Sequence, residues 1–196
     1  NGEEIGMTDL IPAAPEAFQD GLARWAYRAF LHRPGMTPEA AFDLTVKYFC
    51  RDLCRTPMQW ANAANAGFAP AGVTPWLPVH PNYRTGVNVA DQQADPASLL
   101  QILRALIQVR RANPALREGE IEVLAETGEV LAFWRRAPVQ TCLVALNLAA
   151  APARLALGAP VRRFVYPAEA GAPPAGELVL LPYGVAVLET ARGESP

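Results

Sequence analysis

The sequence predicts two regions of different class, a helix-and-loop region up to residue 117 and an all-β region over residues 118–196. Three observations carry this. After Asp95, Leu99, Leu103, Leu106 and Ile107 recur at helical spacing, and Arg110 and Arg111 fall in the last turn, where cations suit the helix dipole. From about residue 118 the helical period gives way to short β-rich runs separated by Gly, Pro and Thr. Between them, Pro57, Gly67, Gly72, Pro75, Pro78 and Pro81 forbid a continuous helix in a stretch that nevertheless carries Trp60, Phe68, Trp76 and Tyr83. Loops with large aromatics are held in place, usually for binding.

Taken in order, residues 1–20 read as a strand end and a loop broken by Pro12 and Pro15. Residues 21–31 suit a short amphipathic helix whose apolar side holds Trp25, Tyr27, Phe30 and Leu31. After Pro34-Gly35, Thr37 is an N-cap, Pro38 takes the first helical position and Glu39 the first turn. That helix runs through Phe42, Val46 and Phe49 and fades near residues 51–57. The best-marked helix starts with Asp95 as cap and Pro96 in the first turn, and Asn113-Pro114 stops it. Runs 120–124, 130–134, 142–148, 164–166 and 178–188 then predict a small antiparallel sandwich, with turns at Thr127-Gly128 and Tyr183-Gly184. Residues 171–176 form a short Ala/Pro-rich loop, and the chain has no internal repeat.

Composition bounds the function. With 196 residues, 51% of them hydrophobic, the chain can build one moderate core and part of another. Seventeen basic against 19 acidic residues leave a net charge of −2, which gives no footprint for nucleic acid or an anionic membrane and suits a neutral ligand. No apolar run approaches the roughly 18 to 20 residues of a membrane-spanning helix, and no secretory signal opens the chain. It begins with Asn1 and not Met, which reads as a piece of a longer protein. Cys50, Cys54 and Cys142 are odd in number and lack the histidines and second pair of a zinc site. They read as buried free thiols in a reducing, cytoplasmic compartment, with no metal and no cofactor implied.

Residues 51–60, Arg-Asp-Leu-Cys-Arg-Thr-Pro-Met-Gln-Trp, are the most specific segment. They are followed by Asn65-Ala66-Gly67-Phe68, Pro75-Trp76-Leu77-Pro78-Val79, Pro81-Asn82-Tyr83, Asn88-Val89 and Gln92, and preceded by Gly2-Glu3-Glu4-Ile5-Gly6-Met7. This ordered set resembles the C-terminal third of an α-glucosidase or oligo-1,6-glucosidase of glycoside hydrolase family 13, strongly to about residue 120 and only in general terms beyond it. The resemblance implies an α/β plus all-β fold class. Residues 1–117 are then the last portion of a (β/α)8 TIM barrel, with its final strand end, substrate-site loop and helices, and residues 118–196 are a C-terminal β-sandwich. The helix after Asp95 becomes the last barrel helix, whose apolar face packs on strands absent from this chain and is therefore expected to be exposed.

In that family the nucleophilic Asp, the acid/base Glu and the stabilising Asp lie on segments before the point where this chain begins, and no motif here matches them. A retaining glycosidase needs two carboxylates about 5 Å apart. The chain is therefore expected to be inactive alone and to need the missing N-terminal barrel segment as partner, and no catalytic residue is assigned within it. By resemblance, Arg55 reaches the nonreducing-end glucose, a task suited to the planar, permanently charged guanidinium fork. Tying the loop down through a salt bridge to Asp52 or elsewhere is the alternative. Arg51 is the second substrate-side candidate, although a structural role fits both it and Asp52.

Trp60, Phe68, Trp76 and Tyr83 offer stacking faces to a sugar ring, or else pack beneath the loop. Glu3 and Glu4, read as neighbours on a strand, point to opposite faces and cannot share one bond, so they are assigned to hydrogen bonding at the barrel end. His32 and His80 have no activating partner in sequence, and Asn88 and Gln92 read as amides that lock the loop.

The resemblance implies hydrolysis of short α-linked glucosides such as maltose, isomaltose, sucrose or short oligosaccharides from the nonreducing end, by a retaining double displacement. A related sucrose isomerase or trehalose synthase is one alternative, and the 75–79 and 81–83 segments favour the hydrolase over the trehalose synthase pattern. A non-catalytic sugar- or partner-binding module, or a split-gene product needing a separate N-terminal chain, are others.

Overall fold

A computed structural model describes residues 1–126, 129–167 and 174–191. The chain divides into two compact units, Asn1–Leu103 and Arg104–Pro196.

In the first unit, α1 (Gly21–Leu31) and α2 (Pro38–Phe49) are capped from side chains that precede them. The Leu22 amide donates to Asp20 Oδ1 at 3.1 Å and the Ala40 amide to Thr37 Oγ1 at 3.2 Å, satisfying N–H groups the helix leaves without internal partners. The two helices pack through aromatics. Phe18 stacks on Phe42 at 5.5 Å and meets Tyr27 edge-on at 6.2 Å, while Phe30 and Phe49 pair at 5.7 Å.

Residues 1–20 hold no strand. Gly2 and Gly6, at φ 87° and 71°, fold Glu3–Ile5 into a single 3-10 turn, and the Met7 amide closes on the Gly2 carbonyl at 2.9 Å. A Cβ at Gly2 would collide with the Met7 side chain, so glycine is required there for space as well as for φ. A strand needs a paired neighbour, and the described chain supplies none to this segment. The expectation that Glu3 and Glu4 alternate across a strand is corrected accordingly.

Two further departures concern helices. Residues 89–94 form a short helix, α3 (Val89–Ala94), capped by Asn88, which lacks the apolar period that would have revealed it. The next helix, α4 (Leu99–Ala112), starts later than Asp95. Asp95 instead closes a local turn by accepting the Ala97 amide at 2.9 Å, and the cap is Ser98, whose Oγ accepts the Gln101 amide at 3.3 Å and donates to the Gln92 carbonyl at 2.6 Å. Of the expected apolar face of α4, Leu99 and Ile107 are exposed and Leu103 and Leu106 half-buried, while Ile102 is exposed beside them. α4 ends before Asn113, and Pro114 opens α5 (Pro114–Glu118).

The second unit contains an antiparallel five-stranded sheet. Its strands are β1 (Glu120–Glu126), β2 (Val130–Ala137), β3 (Gln140–Asn147), β5 (Val161–Tyr166) and β7 (Val185–Thr190), in the order β1-β2-β3-β7-β5. A two-stranded sheet pairs β4 (Ala153–Ala156) with β6 (Glu177–Leu180). One face of the large sheet, with Val130, Ala132, Trp134, Leu143, Ala145 and Leu188, shares a core with Leu155, Leu178 and Leu180 of the small sheet. The opposite face, through Cys142, Val165 and Val187, covers Ala115 and Leu116 of α5. Covered on both sides, β3 reads as a nearly continuous apolar run, whereas β6 alternates exposed and buried.

The run 178–188 is thus two strands that join different sheets, separated by the expected turn at Tyr183, which adopts φ 54°. Strand β4 was not signalled by its four residues. The expected Thr127-Gly128 turn and residues 171–173 of the Ala/Pro-rich loop lie outside the described residues.

Cys50 and Cys142 are buried, and burial raises both thiols, Cys142 to about 11 with help from the nearby Glu189 carboxylate. Cys54 is exposed, because the 3-10 turn Arg51–Cys54 carries it out of the α2 register. Among the described residues no helix is long and apolar enough to cross a membrane, and no three metal-ligating side chains gather.

Candidate functional site

The segment after α2 is organised by two carboxylates. Asp52 turns inward, where its Oδ2 accepts the backbone amides of Gln19 at 2.7 Å and Asp20 at 2.8 Å. Asp20 caps α1 and also receives Arg51 as a fork, with Nε at 2.8 Å and Nη2 at 2.6 Å, plus the Arg51 amide at 3.1 Å. The Arg51 side chain remains 54% exposed while that of Asp20 is 1% exposed, so the pair straddles the surface. The Arg51 hydrogen bond holds the Asp20 carboxyl well below the usual carboxylate range, against the opposing effect of its burial, and Asp20 in turn raises Arg51.

Arg55 closes the 3-10 turn. Its amide donates to the Asp52 carbonyl at 3.1 Å, its carbonyl accepts the Trp76 indole N–H at 3.1 Å, and its side chain is exposed. Among the described residues no carboxylate pairs with its guanidinium, so the Asp52 salt bridge does not form. The two candidate arginines are therefore brought together in sequence and in the same turn, but in different states. Arg51 is committed to Asp20, while the five donors of Arg55 face outward from a doubly fixed backbone.

Trp76 and Phe68 meet edge to face at 5.2 Å and 82°. They are 59% and 36% exposed, and Trp60 is 50% exposed, whereas Tyr83 is buried and belongs to the packing. Phe68 is positioned by an unusual backbone. Asn65, Ala66 and Gly67 lie consecutively in the left-handed region at φ 50°, 52° and 70°, a conformation that costs of order 1 kcal/mol or more for a residue with a Cβ. Asn65 Nδ2 offsets this by donating to the carbonyls of Pro70 at 3.0 Å and Val73 at 2.8 Å, and the amides of Trp60 and Ala61 donate to the Ala66 carbonyl.

A polar chain ties the loop to the N-terminal segment. Fully buried Gln59 donates through Nε2 to Asn82 Oδ1 at 2.9 Å and to the Val87 carbonyl, and Asn82 Nδ2 reaches Thr8 Oγ1 at 3.3 Å. His80 joins it, its Nδ1 accepting the Asn82 amide at 3.2 Å and its Nε2 lying 3.3 Å from Thr8 Oγ1. Asn88 bonds the Tyr83 carbonyl at 2.8 Å, and Gln92 holds the Ile5 carbonyl at 2.7 Å and the Leu100 amide at 3.2 Å, so both lock the loop as the sequence suggested. The roles of Asp20 and Asn65 were missed. Asp20 stands at the cap position just before Gly21, the one signal available. Beside this loop lies an apolar cleft of about 280 Å³ lined by Leu10, Ile11, Ala17, Asp52, Thr56 and Leu77.

This geometry can present a permanently charged hydrogen-bond donor and aromatic faces to a polar, uncharged ligand, and it holds no metal cluster among the described residues. Comparison with known proteins agrees in kind. Residues 1–119 match the family model described as alpha amylase, catalytic domain. The oligo-1,6-glucosidase of Parageobacillus thermoglucosidasius is 37% identical over 125 residues, 64% of this chain and 22% of that protein. The glucan 1,6-alpha-glucosidase of Streptococcus pneumoniae is 34% identical over 147 residues, 75% of this chain and 26% of that protein. Among solved structures, the trehalulose synthase MutB of Pseudomonas mesoacidophila MX-45 superposes with a TM-score of 0.86 at 30% identity, covering 97% of this chain and 35% of that one. This chain thus spans about a quarter of the curated relatives' length. The match over more than half of its residues, with the ordered loop motifs in place, makes this chain a member of the α-amylase family, glycoside hydrolase family 13, related to its α-glucosidases and oligo-1,6-glucosidases.

Proposed function

We propose that this chain is the C-terminal part of an α-glucosidase that removes terminal α-linked glucose from maltose, isomaltose, sucrose or short oligosaccharides. The reaction is a retaining double displacement, with the catalytic Asp, Glu and Asp on barrel segments upstream of Asn1. Residues 1–117 contribute the end of the barrel and the substrate-side loop, and residues 118–196 form the C-terminal sandwich. The core shared by the two sheets supports the sandwich reading. The protein works in the cytoplasm.

The observation that carries this reading is Arg55: an exposed residue whose guanidinium has no carboxylate partner among the described residues, on a backbone fixed at both its amide and its carbonyl. A sugar hydroxyl, or a carboxylate from the missing wall of the barrel, is the partner its donors suit. Arg51 contributes mainly by tying the segment to Asp20, and its side chain stays 54% exposed. Alone, the 196-residue chain lacks the carboxylate pair the reaction needs and is inactive.

The test uses the reading frame extended upstream to its start codon. The extended protein should release glucose from isomaltose and maltose with retention at the anomeric carbon, and Arg55→Ala should cripple it. Its likeness to a trehalulose synthase supports a second reading, in which glucose is returned to a sugar acceptor and not to water. With sucrose as substrate, free glucose and fructose support the hydrolase, whereas an isomeric disaccharide supports the second reading.

A further inference from the structure

We propose that Trp76 is a positioning residue for Arg55, acting through its indole N–H and not through packing. The inference rests on the reading of Arg55 as a sugar contact and adds the device that aims it.

The Arg55 backbone is held at two points. Its amide donates to the Asp52 carbonyl, and Asp52 is itself clamped by the amides of Gln19 and Asp20, so this side of the turn is anchored to α1. The other point is the carbonyl, and its partner is the Trp76 indole, 21 residues away, at 3.1 Å. An indole nitrogen is a donor only, so this bond has one polarity and one geometry. Thr56 and Pro57, which follow, are buried, so the indole bond sets the final orientation of the Arg55 carbonyl within a packed segment. A small rotation of that peptide swings a long side chain by about an ångström, the scale of misplacement that costs large factors in rate.

Trp76 is in turn oriented. Phe68 meets it edge to face, and Phe68 is fixed by the left-handed Asn65-Ala66-Gly67 run that Asn65 locks to Pro70 and Val73. Sustaining two non-glycine residues in that conformation is a cost the loop bears, and its consequence is a fixed Phe68 and a fixed indole. Trp76 is itself 59% exposed, so burial of its ring cannot be the main reason for its placement.

The test is a double-mutant cycle in the extended protein, read as kcat/KM per folded enzyme on p-nitrophenyl α-glucoside and on isomaltose. Trp76→Phe keeps an aromatic ring and removes the N–H, and it should lower kcat/KM about fivefold to tenfold, the value of one hydrogen bond. In an Arg55→Ala background the same change should have almost no effect, because no side chain is left to aim. Phe68→Leu, which keeps the N–H but loosens the ring, should give a smaller loss that also vanishes in that background.

Equal losses with and without Arg55 would make Trp76 a packing residue and overturn the proposal, as would unchanged kinetics of Trp76→Phe. If Arg55→Ala itself costs nothing, the substrate role of Arg55 falls and this inference falls with it. A costly Arg55→Ala beside an additive Trp76→Phe overturns the inference alone.

Discussion

The loop region of residues 51–94 and the β region of residues 120–190 are held together by different physics. In the β region, β2, β3 and β7 bury Ala132, Leu143, Ala145 and Leu188 completely or nearly so, and apolar area removed from water fixes the register. The loop region buries few large apolar side chains and relies on polar locks, among them Gln59, Asn65, Asn88 and Gln92, each bonded to backbone carbonyls. Burial yields a robust scaffold, and the large side chains the β region leaves outside, such as Ile121, Val139 and Leu181, are single exposed aliphatics without the polar locks of the loop. Polar locking keeps Arg55, Trp60 and Trp76 at the surface in defined positions, at the cost of local strain at Asn65 and Ala66.

The comparison is sharpened most by Arg55→Ala. In the extended protein it should reduce kcat/KM by about two to three orders of magnitude while shifting stability by less than about 0.5 kcal/mol, since the side chain is exposed and makes no ion pair among the described residues. Leu143→Ala should do the reverse. Removing a fully buried leucine from the centre of the large sheet should cost about 3 kcal/mol in urea unfolding and leave the rate per folded molecule unchanged. An equal loss of activity and stability in either variant would break the division of labour.

What was legible in the sequence follows the same division. α1 and α2 were readable because helical spacing coincides with the Thr37 cap at α2, and the main strands because runs of β-formers are separated by Gly, Pro and Thr, with β3 apolar almost throughout since both of its faces are covered. Asp95 misled because its carboxylate can satisfy either a helix end or a local turn, and Ser98 three residues later took the helix. α3 and β4 are too short to display a period. In the site, Arg55 was legible only through family likeness. The Asp20 fork and the Trp76 bond join positions 31 and 21 residues apart through chain reversals no local pattern encodes.

Asp20 gives the next test. It serves α1 and Arg51 together, so Asp20→Ala should cost about 2 to 3 kcal/mol and loosen the loop, raising KM as well. Its folded pKa lies below the unfolded value of about 3.9, so its stabilisation is fully present above that value and is lost as pH falls toward the folded one. In Asp20→Asn, the acid limb of the stability curve should flatten below about pH 4. An acid limb unchanged from the wild type would remove Asp20 from the account. The smallest effect belongs to Asn65→Ala. It should cost about 1 kcal/mol in unfolding, from the two carbonyl bonds and the left-handed backbone, and lower kcat/KM only severalfold.

The most direct test of the central claim is hydrolysis of p-nitrophenyl α-glucoside by the 196-residue chain and by the protein extended upstream to its start codon. Turnover by the extended protein alone is the predicted result, and it places the catalytic carboxylates before Asn1. Turnover by the 196-residue chain itself would contradict the account, because the nucleophile and the acid would then have to be found among this chain's own acidic residues.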